Sequence, residues 1–162
     1  GYSFSTWRLH LRGENILAPH DVGRVRNLTV ERLMRADVAT IGQRTTLAEF
    51  RRAFPLGSTK RAVVTDANGR YVGIVLVADA YQPRPAEAAD EGIESLLRYR
   101  DQFLLPGLNV ADAAKIFQRA ESEELAVLDN LGNRHVVGLL TEAHLLRRYS
   151  EELDQGLKDL TG

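Results

Sequence analysis

At 162 residues the chain is the length of one globular domain or of two intimate halves, and 44% hydrophobic against 27% charged residues give it the material for a core. It has no cysteine, which excludes disulfide frameworks, zinc thiolate sites and thiol nucleophiles, and no run approaches the roughly 18 apolar residues of a membrane span. A net charge of −1 hides an asymmetry, since residues 1–61 carry 11 Lys/Arg against 5 Asp/Glu and residues 62–162 carry 10 against 17; the basic part suits phosphates, anionic headgroups or the acidic half of a neighbouring copy, or is ordinary surface asymmetry.

The opening residues, Tyr2 to Arg12, mix aromatics with arginines and show no clean period, so residues 1–29 read as a leader. Val30 to Met34 reads as a short helical turn and Val38 to Ile41 as a brief strand. Thr46 then opens a helix, because Thr46 and Glu49 stand three apart and can each satisfy an orphan backbone donor. Leu47, Phe50 and Phe54 fall on one face, and Pro55 and Gly57 stop the helix. Arg61 to Thr65 is an apolar strand, Asp66 to Gly69 a hairpin turn and Tyr71 to Leu76 the returning strand. A short helix over Ala78 to Tyr81 closes this stretch.

Residues 82–97 carry prolines, alanines and acids, the composition of a connector. After it the order recurs, with Phe103 to Leu105 as strand, Asn109 capping a helix to about Arg119, and Leu125 to Leu128 as strand. Asn130 to Asn133 makes the turn, His135 to Leu140 the last strand, and Thr141 caps a helix to about Gln155. The recurrence is also literal. Thr46 to Phe54 aligns without gaps on Asn109 to Phe117, 63 residues later, and Gly73 to Asp79 answers Gly138 to His144, 65 residues later. A unit too small for a good core pairs with its twin. The expected fold class is therefore α+β, with two repeats, each strand-helix-strand-strand-helix, packed with pseudo-twofold symmetry. They occupy residues 30–81 and 98–153, and 154–162 is a tail.

This repeated order, with a glycine followed by apolar residues and then Asp after a hairpin, resembles the cystathionine-β-synthase (CBS) domain occurring as a tandem pair. The leader Gly1-Tyr-Ser-Phe-Ser-Thr-Trp-Arg-Leu-His-Leu-Arg-Gly-Glu14 resembles the segment leaving the last membrane helix of bacterial ClC-type chloride channels and antiporters, and Gly138 to Leu153 is similar to that group too. The resemblance implies a non-enzymatic regulatory module on the cytoplasmic face of a membrane. It further implies a homodimer through the CBS helices and an upstream transmembrane chloride-transport domain as partner. No cofactor is required, and adenosine nucleotides (ATP, ADP or AMP) are the implied ligand class.

In nucleotide-binding members of that family a Ser/Thr and, three residues on, an Asp follow the third strand. The carboxylate accepts from the vicinal ribose hydroxyls and the helix start offers backbone donors to phosphate. Here the pair is divided. The first repeat keeps Asp79 but has Leu76 at the hydroxyl position, and the second keeps Thr141 but has His144 at the carboxylate position, after Gly73 and Gly138 respectively. Lys60 and Arg61 stand where basic residues reach phosphate in the family, while Glu124 and Leu125 match them in the second repeat. Two readings stand for each: Asp79 and Thr141 as ligand residues or as helix caps, Lys60 and Arg61 as phosphate ligands or as partners in surface ion pairs. The resemblance thus implies at most one asymmetric, partial cleft.

Catalytic readings find little support. His10, His20, His135 and His144 lack metal-ligand spacing, and no nucleophile elbow, phosphate loop or dinucleotide glycine pattern occurs. Glu121, Glu123 and Glu124 form a run that reads as a solvated face. Arg51-Arg52 and Arg147-Arg148 lack the interleaved aromatics or recognition helix of a nucleic-acid binder, so no nucleic acid is expected as partner.

Overall fold

The computed structural model describes residues 28–85 and 91–161; most of the leader, with His10 and His20, and the middle of the connector lie outside them. In chain order the elements are α1 (Val30–Leu33), β1 (Thr40–Gly42), α2 (Leu47–Ala53), β2 (Arg61–Thr65), β3 (Tyr71–Leu76) and α3 (Val77–Ala80). A 3₁₀ turn (Ile93–Leu96) follows, then α4 (Val110–Ala120), β4 (Glu124–Leu128), β5 (Val136–Thr141) and α5 (Glu142–Thr161). The described residues divide into two compact units, one drawn from residues 37–85, 91–103 and 128–137, the other from 28–36, 104–127 and 138–161.

The first unit is built on a three-stranded sheet of order β1-β2-β3. β1 runs parallel to β2, with Ile41 opposite Val64, and β3 returns antiparallel, with Val63 opposite Ile74. Ala62 to Thr65 are all buried, as expected of a central strand covered on both faces. The register slips between Val64 and Thr65, a bulge beside Gly73. α2 begins on the anticipated capping box, since the Thr46 hydroxyl accepts from the Glu49 N–H and the Glu49 carboxylate accepts from the Thr46 N–H. Its apolar face, Leu47 and Phe50, joins Ala62, Val64, Val75, Val77, Ala80 and Ile93 in one core. The end of α2 is tied to α3, because the Tyr81 hydroxyl stands 2.9 Å from the carbonyls of both Arg51 and Phe54 and Arg51 Nε donates to the Ala80 carbonyl at 2.7 Å.

In the second unit β4 pairs with β5. Leu104 contributes a single parallel bridge to Val127 where the sequence suggested a strand over 103–105. α4 carries Val110, Ala113, Ala114 and Phe117 inward, and it lies against α5, which buries Leu145, Leu146 and Tyr149. The apolar stripes of α2 and α4 are thus interior.

Each unit also takes in the lead-in of the other repeat. In the second unit α1 packs on α5, Thr29 bridges to Asn109 and the Val30 N–H donates to the Leu108 carbonyl. In the first unit Thr46 bridges to Gly92, and the Ile93 N–H donates to the Thr45 carbonyl. The end of the acidic connector is therefore ordered: Ile93 is fully buried, because it fills the core under α2. No described helix is long and apolar enough to cross a membrane.

Candidate functional site

The strand-to-helix turns carry most of the residues singled out above, and they are built alike. The Val77 N–H at the start of α3 donates to the Lys60 carbonyl at 2.9 Å, and the Glu142 N–H at the start of α5 donates to the Glu123 carbonyl at 2.9 Å. In the first unit this brings the backbone of Lys60, at the head of β2, beside the helix that carries Asp79. Lys60 is exposed and Arg61 half-buried.

Asp79 does not cap α3, whose preceding residue, Leu76, offers no side-chain acceptor. It is instead the partner of Arg98. Both Nε and Nη2 of Arg98 lie 3.0 Å from the one oxygen Oδ2. Arg98 is held there by its own backbone, which exchanges two 2.8 Å hydrogen bonds with Ile74 in β3. That crossing explains Gly73, since a Cβ there would stand 2.9 Å from the Arg98 carbonyl and the backbone has φ +152°.

In the second unit Thr141 does cap its helix, its hydroxyl accepting from the His144 N–H at 3.2 Å. His144, at the position where the family carboxylate is missing, engages its own helix. Its Nδ1 sits 2.7 Å from Arg147 Nη2, and since an arginine can only donate, Nδ1 accepts and the proton resides on Nε2. Partial burial, then the charges of Arg147 and Arg148, pull the His144 pKa below the ordinary histidine range against the opposing pull of Glu151. Gly138 repeats the close approach of Gly73, here under Met34, whose side chain a Cβ would overlap. Arg35 exchanges backbone hydrogen bonds of 2.8 and 2.9 Å with Leu139, as Arg98 does with Ile74. The site residues therefore fall into two groups: Lys60, Arg61, Gly73 and Asp79 in one unit, Gly138, Thr141 and His144 in the other.

Arg98 is the residue that sequence reasoning missed. A signal existed: Val30-Glu-Arg-Leu-Met-Arg35 aligns without gaps on Ile93-Glu-Ser-Leu-Leu-Arg98, so the literal correspondence reaches back to Ile93 in the second copy and places an arginine at the end of both lead-ins. His135 rests against Asp129 at 3.5 Å in the second hairpin turn. Among the described residues no group of three His, Asp or Glu side chains could hold a metal ion.

Residues 30–82 match the model of the CBS domain family, and no curated protein sequence matches the chain. Solved structures are similar over most of it. A CBS domain pair/ACT domain protein from Thermotoga maritima superposes with a TM-score of 0.62 at 18% identity, covering 76% of this chain and 98% of that one. The CBS domains of a transcriptional regulator from Streptococcus pneumoniae give 0.60 at 20% identity, covering 74% and 98%. The CBS domain of a bacterial CNNM/CorC family Mg2+ transporter in complex with ATP gives 0.68 at 16% identity, covering 81% and 93%. With the duplicated turns and exchanged lead-ins, these likenesses make the fold of this chain that of a CBS domain pair.

Proposed function

We propose that the chain is a regulatory CBS-pair module without a catalytic step of its own, belonging to the cytoplasmic side of a ClC-type chloride channel or proton/chloride antiporter. It would bias gating or transport through the geometry of a homodimer, with any ligand acting by unequal affinity for two arrangements. The observation that carries this reading is the sequence Tyr2 to Arg12, mixing aromatics with arginines, upstream of a chain with the fold of a CBS domain pair. Adenosine nucleotides are the ligand class, supported by the ATP complex of the Mg2+ transporter neighbour. Binding is expected to be weak, because the carboxylate Asp79 and the hydroxyl Thr141 belong to different repeats.

The residues preceding Gly1 in the full reading frame test the attachment. Chloride-pathway membrane helices there support it and a soluble catalytic domain overturns it. Chloride flux from proteoliposomes should then change when the chain is removed after the last membrane helix; unchanged flux overturns the regulatory role. A second reading, a ligand-sensing or purely dimerising CBS pair on another enzyme or transporter, is favoured by the same Mg2+ transporter neighbour.

A further inference from the structure

The contact between Arg98 and Asp79 joins two residues nineteen apart in sequence, one on the lead-in to the second repeat and one on α3 of the first. The pair is at the surface, with the Arg98 side chain 51% and the Asp79 side chain 24% exposed, so it is a weak tie within reach of solutes. Its geometry is one-sided, since both guanidinium nitrogens converge on Oδ2. A carboxylate can receive the two hydroxyls of a vicinal diol with one on each of its oxygens. With Arg98 in place the diol must either displace the guanidinium or settle for Oδ1.

We infer that Arg98 is an internal competitor for Asp79, a latch that holds down the affinity of the first-repeat site for ribose and is relieved most fully by a ligand that also carries phosphate. The inference rests on the adenosine-nucleotide reading above and concerns the regulation of that site. A displaced guanidinium can turn to water, and a phosphate offers it a stronger acceptor through charge-assisted hydrogen bonds. A nucleoside without phosphate offers the diol but leaves Arg98 without that replacement; inorganic phosphate offers the acceptor but leaves Asp79 without its donors. A nucleotide provides both. In the second repeat the matching position is His144, engaged by Arg147 of its own helix, so the latch is a property of the first repeat alone.

Nuclear magnetic resonance titration of the chain with adenosine, 2′-deoxyadenosine, AMP and inorganic phosphate tests this in the wild type, in Arg98→Gln and in Arg98→Gln combined with Asp79→Asn. Arg98→Gln keeps the backbone pairing with Ile74. It should tighten adenosine about threefold to fivefold, the worth of an exposed ion pair, while AMP does not gain. The gain should vanish for 2′-deoxyadenosine and in the double variant. On the unmodified chain, salt raised to about 1 M, where charges are screened within about 3 Å, should also tighten adenosine. Adenosine affinity unmoved by Arg98→Gln while AMP still binds overturns the latch alone, as does a gain that survives Asp79→Asn. Absence of saturable binding of AMP in every form overturns the nucleotide reading and the latch together, and leaves the membrane attachment to its own test. If Arg98→Gln fails to fold, the salt series decides, and adenosine affinity flat or weaker with salt overturns the latch.

Discussion

Gly73 lies directly under the carbonyl of Arg98, with 2.9 Å left for a Cβ that is not there and a backbone φ of +152°. A side chain at this position meets main chain, which cannot turn aside, and also forces a conformation that only glycine holds without strain. Gly73→Ala should therefore lower stability by about 2 kcal/mol or more, read from urea unfolding midpoints. At Gly138 the obstacle is the Met34 side chain, which is flexible. Gly138→Ala alone should cost less, and Met34→Ala in the same chain should return part of the loss as a positive coupling energy. Equal costs at the two glycines, or no recovery with Met34→Ala, would contradict this account.

The two hairpin turns of the first unit are joined through Arg134, which has φ +55°. Its guanidinium lies over the Phe103 ring at 5.0 Å and over the Tyr71 ring at 5.8 Å, and it donates to the carbonyls of Tyr71 and Arg100. Its own carbonyl accepts from the Tyr71 N–H at 2.8 Å. Two cation–π contacts and two hydrogen bonds to carbonyls put Arg134→Ala at about 2 kcal/mol. Arg134→Lys keeps the charge but not the planar fork, so it should recover less than half of that. A melting temperature unchanged in Arg134→Ala would remove the clamp from the account.

Much of the fold was legible because its signals are local. The capping box at Thr46, the bounds of β2 and β3 and the cap at Asn109 follow from residues within four positions of one another. The strand at 103–105 reduces to one bridge at Leu104, since a three-residue apolar run does not say whether a neighbour lies in register. α5 runs to Thr161, past the expected end near Gln155, because the chain has no Gly or Pro capable of stopping it cleanly there: Gly156 is tolerated inside a helix at a modest cost. The exchange of lead-ins was not legible. Hydrogen bonds such as Arg35 to Leu139 join segments about a hundred positions apart, and periodicity within either segment carries no trace of the other. The same holds for the candidate site, where Asp79 was visible and Arg98, which pairs with it, was not.

The helix caps give a paired comparison. Thr46 has a reciprocal partner in Glu49, whereas Asn109 accepts from the Asp112 N–H at 2.8 Å and Asp112 is too short for the return bond. Thr46→Ala and Asn109→Ala should each cost about 1 kcal/mol. Glu49→Ala should reduce the cost of Thr46→Ala in a double-mutant cycle, and Asp112→Ala should leave that of Asn109→Ala nearly unchanged. Coupling of the same size at both helices would show that the capping box is not what distinguishes them.

Acid should weaken the fold in two stages. The His144 pKa is lowered on folding by burial and by Arg147 and Arg148, so the unfolded chain binds the proton more readily and stability falls as pH drops below about 6.5. Asp66 is also lowered, chiefly by the backbone N–H of Arg70. Asp129 is raised by desolvation but lowered on balance by the N–H groups of Asn130 and His135. Their contribution is present above the ordinary carboxylate pKa of about 3.9 and is lost below it. Unfolding midpoints followed from pH 7 to pH 3, each value a set condition of about one unit spacing, should show a shallow first loss that His144→Ala removes and a second that it leaves in place. A first stage unaltered in His144→Ala would assign that titration elsewhere.

Alkali should act through Tyr71. Its ring is buried, its hydroxyl donates to the Tyr99 carbonyl at 2.6 Å, and burial raises its pKa well above the ordinary tyrosine value, against the smaller opposing effect of Arg134. A raised acid keeps its proton in the folded state after the unfolded chain has lost it, so the contribution is whole below about pH 10 and declines as pH rises further. Tyr71→Phe cannot ionise, and it leaves the Tyr99 carbonyl without this donor at a cost of about 1 kcal/mol near neutrality. Its stability should therefore start lower and fall less steeply above pH 10, so that the two unfolding curves converge as alkali increases. Parallel curves for Tyr71→Phe and the wild type would mean that the alkaline loss comes from other tyrosines or from lysines, and that the buried hydroxyl is not the group that the fold protects.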